Sequence, residues 1–206
     1  DKLAIHSNEG ISLLHEAGFP KDKIAKVEAL RYFGLKGRYH IYKKPIPSSE
    51  RTLLLIMGYS GLENRFQFQL LKEAANYGAL QNYNQILVKP HPGLSPDGLR
   101  PVYESKLNLS IKNEPLSELW PLADVVYGAH ATGASWEASW FGIPTIIVGA
   151  DNMLNLSPLN GLQGVHFVMS GIELLEQLKK PKLVLVREDY FFLNEDLRLW
   201  KKLLKE

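Results

Sequence analysis

Two short stretches of the chain carry residue types suited to handling phosphate. In Lys89-Pro90-His91-Pro92 each proline holds the residue before it in extended backbone, so an ammonium and an imidazole sit on a stiff frame after an apolar run. In His130-Ala131-Thr132-Gly133-Ala134-Ser135 small residues open a helix, which leaves backbone N–H groups with little side chain in front of them. The hydroxyls of Thr132 and Ser135 add donors, and such an end suits a phosphate. Glu137 follows one turn in, where a carboxylate can accept hydrogen bonds from ribose hydroxyls beyond that phosphate. Together these residues sketch a nucleotide site. Each also has a plainer reading, in which the prolines make a rigid turn and Thr132 caps a helix in a tightly packed α/β fold. His130 either reaches the ligand or ends the preceding strand, and its residue type does not decide between them.

The elements that must hold these residues read as alternating strands and helices. Residues 125–127 form a buried strand, 128–133 a small-residue turn and 134–140 a helix, after which Gly142-Ile143-Pro144 leads into a second apolar strand at 145–148. Upstream, the apolar strand 52–57 ends in Gly58-Tyr59-Ser60-Gly61, and a helix over 63–77 follows with Phe66, Leu70, Leu71 and Ala74 near helical spacing. A glycine turn there, with Gly58 and Ser60, is where doubly wound folds approach phosphates, though chain reversal alone explains it equally well. Residues 85–89 are the next strand and 106–111 a further one, followed by a helix over 116–122. After a polar loop at 149–164 come a strand at 165–169, a Ser170/Glu173 capping box, a helix over 174–179 and a terminal helix over 194–204. The last is expected to pack through Leu197, Trp200, Leu203 and Leu204. This alternation predicts an α/β fold, a doubly wound Rossmann-like parallel sheet covered on both faces.

Before residue 31 a separate β-α-β unit is expected, with strands at 3–6 and 24–30 and a helix presenting Ile11, Leu14 and Ala17 that stops at Gly18. Residues 31–51 turn aromatic, basic and proline-rich and read as a connector, whose Lys and Arg could also touch a membrane surface. The expected division is 1–35, a linker at 36–51, and one domain over 52–206.

A length of 206 residues with 45% hydrophobic content is enough chain for a large α/β domain. The net charge of +2 comes from 24 basic and 22 acidic residues spread along the chain, so no nucleic-acid partner is expected. Absence of cysteine excludes disulfides and thiolate metal sites, and no apolar run approaches the roughly 20 residues that span a bilayer. No Asp-x-Asp motif occurs and the histidines show no paired ligand spacing, so metal-independent binding without a separate cofactor is expected.

The order strand, glycine turn, helix, then K-P-H-P, then L-A-D-V-V-Y-G-A-H-A-T-G-A-S-W-E-A-S-W-F-G-I-P-T-I-I-V resembles the donor-binding C-terminal half of GT-B glycosyltransferases. The likeness is strongest to bacterial surface-carbohydrate enzymes, including capsule, Kdo, sialyl and polyol-phosphate transferases. H-E-A-G-F-P-K-D-K-I-A-K-V-E-A-L-R-Y resembles the last unit of their N-terminal half. The resemblance implies that His91 is the catalytic histidine meeting the donor phosphate, with Lys89, His130, Thr132, Gly133 and Ser135 around it. Glu137 would face the donor ribose, and Gly58 and Ser60 would line the interdomain cleft. The implied reaction passes a sugar from a nucleotide-sugar, with cytidine nucleotides favoured, to a glycan or lipid-linked acceptor at the cytoplasmic face of the cell membrane. In such enzymes a whole N-terminal domain supplies the acceptor site and usually the base. The piece before residue 31 is too short for it, so this chain is expected to bind donor better than it turns it over. A non-catalytic nucleotide-sugar binding module, a nucleotide-sugar 2-epimerase-like enzyme and a purely structural Rossmann-like domain remain open beside this reading.

Overall fold

The computed structural model describes residues 1–42, 50–130, 132–149 and 157–205. Residues 43–49 of the expected linker, Ala131, residues 150–156 of the following loop and Glu206 therefore lie outside the described residues. The chain divides into two compact units, one built from residues 1–39 with 186–206 and the other from 40–185.

In the first unit, strands β1 (Leu3–Ile5) and β2 (Ile24–Lys26) run parallel, with Ala4 opposite Ala25, and flank helix α1 (Asn8–Glu16). Ser7 starts α1 by accepting the Gly10 N–H at 3.0 Å, and Gly18 ends it at φ +81°. β2 is shorter than expected because the chain turns into a 3-10 helix over Leu30–Leu35. The rest of the unit comes from the other end of the sequence. Tyr32 stacks on Phe191 at 4.2 Å, Ala29 N–H donates to Phe192 O at 2.9 Å, and Phe192 N–H donates to His6 O at 3.1 Å.

The C-terminal helix covers only Arg198–Leu203 and buries none of its residues, so the longer helix with an apolar packing face is not formed. Leu197 takes left-handed backbone at φ +53°, which stops the helix from extending toward Asn194. Its start is capped from far away: the buried Glu28 carboxylate accepts the N–H groups of Leu199 at 2.8 Å and Trp200 at 3.0 Å. Burial pushes the Glu28 carboxyl up, but the backbone N–H donors outweigh it and hold the group below its ordinary value of 4.5. A depressed carboxyl stabilises the fold above its unfolded value, and that contribution fades as pH falls through the lowered one. Glu28→Ala should therefore cost about 2 kcal/mol at pH 7 and clearly less at pH 3, read from urea unfolding at both.

The second unit holds the sheet. Its elements are β3 (Arg51–Ile56), α2 (Gly61–Asn76), β4 (Tyr83–Lys89), α3 (Arg100–Glu104), β5 (Ser110–Ile111), α4 (Leu116–Leu119), β6 (Val125–Gly128), α5 (Gly133–Trp140), β7 (Thr145–Val148), β8 (His166–Val168) and α6 (Gly171–Lys179). Six strands pair in the order β5-β4-β3-β6-β7-β8, all parallel. The α/β parallel sheet expected from the alternation is present. β3 is flanked on both sides and covered on both faces, which is why Leu53, Leu54 and Leu55 are all fully buried. β5 is shorter than the predicted strand over 106–111, since Lys106 sits at φ +56°. Residues 183–186 pair with no strand, though Val184 is buried and Leu185 N–H reaches Gln163 O at 2.8 Å.

Strand order places a site before any side chain is considered. From β3 the chain winds outward through β4 and β5, then returns to start β6 on the other side of β3. Connections leaving β3 and β6 therefore diverge, and a crevice opens above their carboxyl ends, the place where such sheets bind ligands.

Candidate functional site

Three segments leave the sheet at that edge: residues 58–60 after β3, 90–93 after β4, and Ala129 and His130 after β6. They share an edge because Ile56 stands opposite both Lys89 and Gly128 in the parallel register. The two motifs singled out in the sequence thus lie on strands that flank β3.

His91 is exposed, and its Nδ1 accepts the Gly93 N–H at 3.1 Å. A neutral ring with Nδ1 accepting carries its proton on Nε2, so the second nitrogen is left as a donor. The Tyr59 ring stands edge-on to it at 5.6 Å and 81°. Lys89 is partly buried and its Nζ donates to Asn113 O at 2.9 Å, tying β4 to the segment after β5. Ser60 caps α2, its hydroxyl accepting the Glu63 N–H at 3.5 Å.

On the other side of β3, Thr132 caps α5 by accepting the Ala134 N–H at 3.3 Å, and Gly133 opens the helix. α5 is embedded in the fold, with Trp136 stacked on Trp140 at 5.1 Å and both rings buried. Glu137 is half-buried while the residues around it from Ala134 to Trp140 are buried.

Ser135 is placed differently from Thr132. Its hydroxyl is fully buried, has no hydrogen-bond partner among the described residues, and would lie 2.4 Å from a Cβ added at Gly128. Only its backbone N–H remains at the helix start. Gly128→Ala should accordingly cost about 1–3 kcal/mol through overpacking, and Ser135→Ala in the same chain should restore most of it; thermal unfolding of the four forms of the double-mutant cycle measures the coupling.

Sequence reasoning missed Glu63. Its carboxylate is only 8% exposed, and Oε1 accepts the His130 N–H at 2.5 Å while lying 2.6 Å from Nδ1 of the equally buried His130 ring. That close ring contact lacks hydrogen-bond alignment. A Cβ on Gly58 would come within 2.3 Å of Glu63 Oε2, so Gly58 is glycine to admit this carboxylate. The next turns of α2 continue the pattern. Asn64 brackets Gly58, accepting its N–H at 2.9 Å and donating to its carbonyl at 3.0 Å. Gln67 Nε2 donates to Ile56 O at 3.2 Å and Tyr127 O at 3.1 Å, bridging β3 to β6. Burial, and then the nearby Glu63 charge, push the Tyr127 hydroxyl well above its ordinary range. Polar residues at helical spacing after a glycine turn, on the face otherwise expected to be apolar, were the available signal. Among the described residues no group of three or more His, Cys, Asp or Glu is gathered as a metal site would require.

No protein-family model and no curated protein matches the chain. Solved structures do. The UDP-GlcNAc 2-epimerase of Methanocaldococcus jannaschii, solved with UDP-GlcNAc and UDP, superposes on 100% of this chain with a TM-score of 0.69 at 14% identity. The fold is that of GT-B proteins, with its Rossmann-like sheet. A GtfA/B complex matches 100% of the chain with a TM-score of 0.58 at 12% identity, and S. aureus MnaA with UDP matches 84% at 0.54 and 11%. The chain spans 61%, 45% and 50% of these three proteins respectively. At such identities the likeness is one of fold.

Proposed function

We propose that this chain is the nucleotide-sugar-binding portion of a metal-independent glycosyltransferase of bacterial surface-carbohydrate synthesis, related to the capsule, Kdo, sialyl and polyol-phosphate enzymes. The observation that carries the reading is that His91 after β4 and the start of α5 after β6 follow the two strands that flank β3, at the carboxyl edge of the sheet where its order switches. The fold is shared with proteins solved holding UDP-GlcNAc and UDP, which supports a nucleotide-sugar as ligand.

In this reading the Nε2–H of His91 and the N–H groups at Gly133 and Ala134 stabilise charge developing on the leaving nucleotide phosphate. Glu137 accepts from the ribose hydroxyls. Glu63 fixes the backbone between β6 and α5 without touching the ligand. The donor is the sole small molecule required, with a cytidine nucleotide favoured, and the acceptor is a glycan or lipid-linked saccharide at the cytoplasmic face of the membrane. Residues 1–35, with the 186–206 segment that completes their unit, are the last unit of an acceptor-binding half, 36–51 the join, and 52–185 the donor domain. No helix among the described residues is long and apolar enough to cross a membrane, so contact with that face would be peripheral.

A 2-epimerase is the second reading, favoured by the full-length superposition on the M. jannaschii enzyme. Incubation with UDP-GlcNAc in D₂O separates the two, since epimerisation at C2 exchanges the C2 proton and simple donor binding does not.

A thermal-shift panel of CMP, CDP, UDP, GDP and ADP, each with and without Mg²⁺, tests the donor site itself. A nucleotide at 100 times its Kd adds about 2.7 kcal/mol, which at roughly 2–4 °C per kcal/mol is a shift of several degrees. A shift with one base, indifferent to Mg²⁺, is expected. Absence of a shift with all five would sink the reading for this chain.

A further inference from the structure

A cavity of about 350 Å³, lined in part by Tyr59, lies between the start of α2 and the segment running from Ser95 into α3. Its walls carry Arg65 and Arg100, Asp97 and Glu104, Ser95 and the Tyr59 ring. Tyr59 is 72% exposed, so the ring presents its surface instead of filling the core. Among the described residues the two guanidinium groups make no ion pair and no side-chain hydrogen bond, although two carboxylates share the same walls. Four charged groups thus line one cavity whose volume is in the range that small ligands fill, and the two guanidinium groups are not committed to the two carboxylates.

We infer that this cavity is a second carbohydrate subsite that takes a phosphorylated saccharide. Guanidinium forks match the oxygens of a phosphomonoester. Carboxylates and the Ser95 hydroxyl accept and donate to sugar hydroxyls, and an exposed aromatic ring offers an apolar surface to the C–H face of a pyranose. Equal numbers of acidic and basic groups disfavour a bare anion, since the carboxylates repel it, and select a ligand that carries hydroxyls beside its phosphate. The wall formed by Arg65, Pro101 and Glu104 continues into a second depression of about 240 Å³ that reaches Lys72, which gives a longer anionic glycan somewhere to run. Because Tyr59 belongs both to this cavity and to the surroundings of His91, the occupant sits next to the phosphate-binding edge. That the occupant serves as the acceptor of the proposed transfer rests on the donor-site reading above; the existence of the subsite does not.

Isothermal titration of the chain with glucose 1-phosphate, inorganic phosphate and methyl glucoside tests it. Glucose 1-phosphate should bind, the other two about tenfold more weakly or less, and Arg65→Ala and Arg100→Ala should each weaken it about tenfold. Both arginines are exposed, so these variants keep the fold, and they should leave the nucleotide-induced thermal shift unchanged. His91→Ala should do the opposite. No binding of glucose 1-phosphate, or binding indifferent to both arginines, overturns the subsite. Equal affinity for inorganic phosphate also overturns it, leaving a plain anion site. Arginine-dependent binding of glucose 1-phosphate together with no nucleotide shift upholds the subsite and removes only the donor reading.

Discussion

Glu63→Ala is expected to destabilise the chain by about 3 kcal/mol, roughly 6–12 °C in Tm, and to abolish nucleotide binding at the same time. The carboxylate is buried, and its removal leaves the His130 N–H without an acceptor in a region closed to water. It also empties the space that the absence of a Cβ at Gly58 provides. Glu63 is a positioning residue, so the informative partner is Glu63→Gln. An amide oxygen can still accept the His130 N–H but carries no charge against the buried imidazole and the Tyr127 hydroxyl. If the carboxylate serves only as a hydrogen-bond acceptor, Glu63→Gln keeps most of the stability and of the nucleotide shift. If its charge is required, Gln behaves like Ala. A Glu63→Ala protein that melts at the wild-type temperature would show that the loop before α5 is held by something else.

His91→Ala should leave the unliganded Tm within the range of a surface substitution, about 0.5 kcal/mol, while removing the nucleotide-induced shift. The ring is exposed and its one hydrogen bond is to Gly93 two residues on, with Pro90 and Pro92 still fixing the backbone when the ring is gone. In an active transferase containing this portion the same change should lower kcat by about 10²–10³, the effect of losing one donor to a charged leaving group. A nucleotide shift that survives in His91→Ala would reduce Pro90-His91-Pro92 to a rigid turn.

Strand-level reading succeeded where the residue pattern reports burial on both faces. The run Thr52-Leu53-Leu54-Leu55-Ile56 can only be a central parallel strand, and β6 and β7 share that character. It failed where one backbone dihedral outweighs side-chain pattern. Lys106 and Leu197 both adopt left-handed backbone, which no hydrophobic periodicity records, and each cut short an element that looked longer. At the site, the cap at Thr132 and the pinned His91 were legible because they follow local rules. Ser135 looked equivalent to Thr132 in sequence, yet Thr132 is the cap outside the helix while Ser135 lies inside α5, where its hydroxyl is packed against Gly128. The polar pattern of Glu63, Asn64 and Gln67 could mark that face of α2, but the pairing of Glu63 with His130 could not be read because the two are 67 residues apart and no short motif announces it.

Glu28 and the helix that it caps are separated by 171 residues, and nearly everything between them belongs to the other unit. During vectorial synthesis the 40–185 unit is a continuous stretch that can close as soon as it has emerged, whereas residues 1–39 must wait. At about 5–20 residues per second that delay is roughly ten to thirty seconds, during which Tyr32, the Ala29 N–H and the Glu28 carboxylate have none of their distant partners. The discontinuous unit is thus the last to form and the stretch of the nascent chain most in need of protection.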